Sequence, residues 1–453
     1  MFVFLMAFVT FGIDAIYRNT RLGFFVHNRQ APPWQIALSA AASWMYVFGI
    51  ILAAEFPVRI GMSSTFWLIF ANVTALFYFG FMGYQLLSKM PSGFTFSEFI
   101  HSRYNDTKMS YFYRTLHVSA AIYAIIISLT GFGVIAEYVS KDFNYDIIVL
   151  VLGLTILCYS MWGGIKASLR TDTIQVLLII FVSVVFGSIA VFQAGGLQTV
   201  LTNWDVAKPT EIFTSATMLN PGLLLILLCA GSIMADNGHY QKVIALGEKS
   251  KIIKTYFFAG MIVLICYSFM ALLSASAFSL PITISNPKVA ALQVTDYTIG
   301  YYGILIFTLA ILAKASSTTD TALNSAGTVI ANDVFTNWNS LWVSRLTMIV
   351  VMSIAILISM MKIDLWILFT TFGAIRMIAI APTLYALFTE HKFNTNLLFM
   401  SMLVATVFAI FSIYFKWLDS LTLSLIMIGI PLSVILFTKL REKMSWKTTL
   451  QNT

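Results

Sequence analysis

Thirteen stretches of this sequence run for roughly 17–25 residues with few charges, long enough as helix to cross about 30 Å of hydrocarbon. They are 2–17, 34–54, 63–87, 115–138, 146–162, 172–194, 216–236, 255–279, 298–325, 344–361, 364–388, 395–415 and 420–438. A backbone in lipid must pair its own N–H and C=O groups, so runs of this length are helices. Composition agrees, with 59% hydrophobic and 10% charged residues among 453, against about 25% charged in a soluble domain. No soluble core of this length hides so much apolar surface. The expectation is an all-α integral membrane protein, one transmembrane domain over 1–453 without a soluble domain or long linker. Cys158, Cys229 and Cys266 all lie in apolar stretches without metal spacing and read as packing residues.

The formal charge of +8 would suggest nucleic acid in a soluble protein, but here the cations stand between apolar spans and report orientation. With the C-terminal end cytoplasmic, 19 of the 27 Lys and Arg residues fall in inside loops and 6 in outside loops. The inside set includes Lys89, Arg103, Lys166, Arg170, Lys242, Lys249, Lys251 and Lys254; Lys314 and Arg376 fall within spans. This predicts a multi-pass protein of the plasma (inner) membrane with its N-terminus outside and its C-terminus inside. Met1–Tyr17 lacks a basic leading region and a small-residue cleavage site, so it is expected to be a retained leading helix.

Ionisable groups in mid-span are costly and normally face protein, water or a solute path. Asp14, Asp172, Asp320, Lys314 and Arg376 are of this kind, with Glu55, Glu137 and Asp236 nearer span ends. Structural ion pairing accounts for any single one; the set points to a path. The densest polar run is Lys314-Ala315-Ser316-Ser317-Thr318-Thr319-Asp320-Thr321, where Ser317, Thr318 and Thr321 share one helical face. Hydroxyl and carbonyl oxygens suit a hard cation. The run Ser39-Ala40-Ala41-Ala42-Ser43-Trp44-Met45-Tyr46 in mid-span permits close helix packing, and equally a local break that exposes carbonyls.

These two runs, with a third, resemble the sodium:solute symporter family. The third is Gly163-Gly164-Ile165-Lys166-Ala167 followed by Thr171-Asp172-Thr173-Ile174-Gln175. Ser317-Thr318-Thr319-Asp320 with Asp333-Val334-Phe335, and Gln241-Lys242-Val243 with its basic tail, are similar to further family segments, as is Pro33-Trp34. The resemblance implies a LeuT-like 5+5 inverted repeat, 34–194 against 216–388, preceded by the leading helix 1–17 and trailed by helices over 395–438. It implies broken helices at 34–54 and 216–236, and sodium as the coupling ion for symport of a small polar organic solute. By the same resemblance sodium is held by backbone carbonyls of Ala42, Met45 and Lys314 and the hydroxyls of Ser317 and Thr318. Asp172 and Thr321 mark a second sodium site or the ion's exit. Ser43, Trp44, Tyr46, Asp236, Asn237 and Arg376 are expected to face the solute near the midplane. Neither nucleic acid nor an obligatory protein partner is expected; the partners are the solute and the bilayer.

Lys314 departs from the family, which has a small apolar residue there, and raises a sodium-independent alternative in which its ammonium replaces the ion. Because side chains lean toward their helix N-terminus, that ammonium is expected to point away from Ser317 and Thr318, toward the midplane. There it meets a solute anion or a carboxylate from another helix. Arg376 in the same region suits a carboxylate, whereas Ala42-Ser43-Trp44 resembles the urea and polyamine branch; the two hints leave the solute open. An enzyme would need convergent nucleophile, metal or cofactor groups, and the five histidines form no such spacing. With about fifteen residues after 438, no signalling domain is expected there.

The orientation is testable in a chain with its three native cysteines replaced. A membrane-impermeant maleimide is expected to label Ser285→Cys on intact cells, and Ser250→Cys only after permeabilisation. The reverse pattern overturns the charge argument.

Overall fold

The computed structural model describes residue 13 and residues 15–139, 144–208, 211–390 and 394–451, with side chains described up to 440. All regular structure among the described residues is helical. The main helices are α1 (Pro33–Trp44), α2 (Val47–Arg59), α3 (Met62–Lys89), α4 (Phe96–Tyr104), α5 (Thr107–Val139) and α6 (Tyr145–Phe181). They continue with α7 (Leu224–Ala235), α8 (Asn237–Leu246), α9 (Lys249–Ala275), α10 (Tyr301–Val329) and α11 (Ser340–Ser359). The last are α12 (Leu365–Arg376), α13 (Ile380–Phe388), α14 (Thr395–Phe415) and α15 (Ser420–Gln451).

Local chemistry sets several of these boundaries. Pro33 occupies the first turn of α1, where its missing N–H has no helical partner to lose. Side chains of Thr95, Asn144, Asp236 and Asn339 accept backbone N–H bonds at the starts of α4, α6, α8 and α11. Gly247, at φ 70, closes α8 in the left-handed conformation.

Ten helices among the described residues are long and apolar enough to cross a membrane, and α1 with α2, bent by 63°, makes an eleventh crossing. The thirteen expected spans are not all separated by loops. Spans 146–162 and 172–194 run together in one helical stretch, Tyr145–Gln193. The cause is the connector: Ala167, Ser168 and Leu169 are buried and helical, where Lys166 and Arg170 had suggested a loop. The chain turns at Gly164 alone, whose φ of 57 and ψ of −148 interrupt the helix. The expected leading helix 2–17, with Asp14, lies almost wholly outside the described residues; the helix Ala15–Asn19 follows it. α14 and α15 pack on one another and against the outside of the bundle.

In the bundle interior, α10 packs on α5 and α6, α1 on α6 and α9, and α3 on α9. Small residues permit the closest approach: a Cβ added at Gly80 of α3 would lie 3.2 Å from the Tyr256 Cβ of α9. The centre of α10 is buried from Ala313 to Val329 although it carries the chain's densest polar run. That placement brings the polar run against α1, α6 and α8.

Gly164→Ala is expected to cost about 1–3 kcal/mol, because an L side chain resists that backbone conformation and its Cβ would meet the Phe24 carbonyl at 2.5 Å. Gly429→Ala, with nothing within 4 Å, is the control and is expected to be neutral. Thermal unfolding of the two variants in detergent checks the difference.

Candidate ion and solute site

The break between α1 and α2 positions the first half of the site. Met45 and Tyr46 leave helical geometry, and the Tyr46 N–H bonds the Trp44 carbonyl at 2.8 Å. In a continuous helix that N–H would meet the Ala42 carbonyl. A matching interruption at Asp236 separates α7 from α8. Two broken helices thus meet inside one bundle.

Between them lies a buried polar cluster. Asp172 of α6 accepts hydrogen bonds from Ser39 of α1 at Oδ2 and Ser317 of α10 at Oδ1, and the Lys242 ammonium of α8 lies 3.7 Å from Oδ2. Lys242 also donates to the Ser39 carbonyl at 2.9 Å, to Ser43 Oγ at 2.6 Å and to Thr321 Oγ1 at 3.4 Å. Lys314 Nζ donates to Thr318 Oγ1 at 2.6 Å, and the Thr318 hydroxyl lies 3.5 Å from the Ser43 carbonyl. Asp320 accepts from Ser168 at 2.7 Å, Tyr159 at 3.0 Å and Thr171 at 3.1 Å. Ser168 is also 3.5 Å from Asp172, so the two carboxylates share one hydroxyl neighbour. All four ionisable side chains are at most 1% exposed. Two ammonium groups and two carboxylates are formally neutral together, which is what burial in a low-dielectric interior demands.

Beside this cluster, a small cavity of about 30 Å³ is enclosed by Trp44, Tyr46 and Phe48 from the broken helix, Asn72 of α3, Tyr123 of α5, Ser232 of α7, Tyr267 of α9 and Phe369 of α12. Its walls are mostly aromatic with a few polar groups, the usual make-up of a small-molecule site. At its edge the Arg376 guanidinium sits 4.3 Å above the Tyr123 ring, its Nε donating to the Phe372 carbonyl at 3.1 Å. Asp236 accepts from the Gly238 N–H at 2.8 Å and lies 3.5 Å from the Tyr46 hydroxyl.

The structure thus gathers Ser317, Thr318, Thr321, Asp172 and the helix break at Ala42–Met45, as the sequence suggested, with three differences. Lys314 turns toward Thr318 rather than away from it. Its four-methylene stem is long enough to fold along the helix, and Ile311 and Phe307 on its N-terminal side offer an ammonium nothing. Ser43 joins the ionic cluster and does not line the aromatic cavity. Asn237 accepts the Phe96 N–H at 3.1 Å and so ties α8 to α4. Lys242 was missed, counted with the loop cations, yet it lies in the centre of the cluster. The available signal was its setting: Tyr240 before it and Val243-Ile244-Ala245-Leu246 after it are unlike a solvated loop. Ser39, Ser168 and Tyr159 gave no comparable signal.

Comparison with known proteins places these features in context. Residues 24–405 match the family described as Sodium:solute symporter family. The chain is 22% identical over 266 residues to a probable urea active transporter of Schizosaccharomyces pombe, covering 55% of this chain and 40% of that protein. It is 20% identical to the sodium/pantothenate symporter of Escherichia coli K12, covering 46% of this chain and 45% of that protein. It is also 20% identical to the urea-proton symporter DUR3 of Oryza sativa subsp. japonica, covering 54% and 38%. Each match therefore spans less than half of the relative's length. Among solved structures, an outward-open, Na+-coupled sialic acid symporter with its substrate bound shares the fold, with a TM-score of 0.79 at 16% identity over 96% of this chain and 94% of that one.

Removing one partner from the Asp172–Lys242 contact strands the other charge. Asp172→Leu and Lys242→Met are each expected to destabilise by about 3–5 kcal/mol, and the double variant by clearly less than their sum. Denaturant unfolding of the three variants in detergent measures this; strict additivity would show the contact to be energetically idle.

Proposed function

Because this chain belongs to the sodium:solute symporter family, we propose that it is a secondary transporter that carries a small polar solute without sodium, with its own lysine ammonium groups in the cation's place. One observation carries the proposal: Lys314 Nζ lies 2.6 Å from Thr318 Oγ1, the hydroxyl expected to bind the ion. Lys242, on Ser39 and Ser43, supports it from the opposite side. A sodium ion about 4 Å from an ammonium would meet roughly 4 kcal/mol of repulsion at an effective dielectric of 20. That is close to a thousandfold in affinity, against a cluster whose formal charges already cancel.

In this reading a lysine does what a bound cation does elsewhere. Lys242 draws oxygens of α1 and α10 together while Lys314 occupies Thr318, and loss of a proton from this pair lets the helices part. The driving gradient is then one of protons, in keeping with the name of the rice relative. The remaining organisation is proposed with it. Split at Gly164, the helices form repeats 34–194 and 216–388 of five spans each, with the N-terminus outside and the C-terminus inside. Solute binds in the cavity walled by Trp44, Tyr46 and Asn72, with Arg376 and Asp236 at its edge. The cavity's small size and the two urea-carrying relatives make urea the first solute to try. The second reading, sodium symport, is favoured by the break that turns the Ala42 and Met45 carbonyls out of helical pairing and by the pantothenate relative.

Purified protein in liposomes distinguishes the two. The expected outcome is urea uptake driven by an inward proton gradient and indifferent to replacing sodium with choline. Sodium is expected to leave the wild-type thermal midpoint unchanged, and to raise it in Lys314→Ala or Lys314→Met through the freed Thr318 hydroxyl. A sodium-dependent midpoint in wild type, abolished by Thr318→Ala, overturns the proposal in favour of sodium symport.

A further inference from the structure

A second cavity lies apart from the ionic cluster, on the outer side of α1. It is a groove of about 540 Å³ between α1 and α9, walled by Pro33, Trp34 and Leu38 on one side and Thr255, Phe258 and Ile262 on the other, with Lys251 and Lys254 at one end. On each helix these residues follow helical spacing: Trp34 and Leu38 are four apart, and Lys251, Lys254, Thr255, Phe258 and Ile262 lie along one stripe. The groove therefore follows the α9 stripe, charged at one end and apolar beyond it. From Lys251 to Ile262 it extends about 16 Å at 1.5 Å per residue. That is about half of a 30 Å hydrocarbon layer, the depth of a single leaflet.

We propose that this groove binds one anionic phospholipid, with its phosphate at Lys251 and Lys254 and an acyl chain lying against Trp34, Leu38, Phe258 and Ile262. Three features select this occupant. The length fits one leaflet. Trp34, 59% exposed, stands at the charged end, the level at which tryptophan is enriched at membrane interfaces. The charge is complementary: α9 starts at Lys249, so its N-terminal N–H groups and the positive end of its dipole lie beside the two lysines. The opposing charge is Glu248, which pairs with Lys251 at 2.7 Å. Both partners are about half exposed, and a solvent-exposed pair of that kind holds its cation weakly. It yields to a phosphate that engages two lysines. The Lys254 ammonium, 5.9 Å from the Phe258 ring, has no carboxylate on it among the described residues. The lipid would lie against the outer face of the helix whose inner face carries Ser39 and Ser43, so it would brace α1 whatever ion the cluster uses.

The test uses the full chain, purified and stripped of lipid. Phosphatidylglycerol is expected to raise the thermal midpoint by several degrees over equal phosphatidylcholine. Lys251→Gln with Lys254→Gln is expected to abolish that difference while leaving the midpoint in phosphatidylcholine unchanged, since both side chains are exposed. Leu38→Trp, which fills the apolar length, is expected to abolish it too. The proposal is overturned if wild type responds equally to both lipids. It is also overturned if the double lysine variant keeps its preference, or if glycerol phosphate without acyl chains reproduces the shift.

Discussion

The interior of this protein is organised around a charge that cannot stand alone. Asp172 is fully buried in the middle of α6, and a lone carboxylate there would cost several kcal/mol more than any single contact returns. Its partners come from three other helices: Ser39 on α1, Ser317 on α10 and Lys242 on α8. Lys242 brings Ser43 and Thr321 with it, and Ser168 extends the network to Asp320 and Tyr159. Because no member can relax into solvent, the four helices are held in one mutual arrangement. A change in the protonation or occupancy of this cluster is therefore the natural lever for moving them.

The second constraint is the backbone. Lipid gives N–H and C=O groups no partners, so irregular chain at membrane depth survives only where protein surrounds it. The turns at Met45–Tyr46 and at Asp236 satisfy that rule in different ways. The first folds back on the Trp44 carbonyl and presents that of Ser43 to Thr318. The second uses the Asp236 side chain to cap α8. Each break thus points polar backbone inward. The ionic cluster lies below the first break and the aromatic cavity above it, so Trp44 and Tyr46 on one side and Ser39 and Ser43 on the other move together when α1 moves relative to α2.

Several of these features were legible in the chain. Small residues around Ala42 allowed either close packing or a break, and Ser317, Thr318 and Thr321 announced a polar face, because helical periodicity fixes which residues share a face. The side-chain partners were not legible. Lys314 was expected to lean toward the N-terminus of its helix, and the general rule gave way because only Thr318 offered its ammonium an oxygen. Lys242 was counted as a loop cation because the sequence does not reveal that α8 folds inward. Ser43 was expected at the solute by resemblance together with Trp44 and Tyr46, yet it faces Lys242 while those two line the cavity. Around Gly164 the sequence showed a charged, glycine-containing connector; its residues Ala167, Ser168 and Leu169 are buried and helical, and the chain turns at Gly164 itself.

What the sequence determined by itself was the solvent this protein lives in and where its apolar helices run among the described residues. Those follow from hydrophobic run length, charge density and residue size, which are local properties. Only the tertiary structure decided which charges meet, since Asp172 and Lys242 are 70 residues apart in the chain and 3.7 Å apart in space. That choice depends on how helices pack, and buried ionic contacts are set by desolvation and geometry over several helices at once. It is also what set two lysine ammonium groups against the run of hydroxyls on α10.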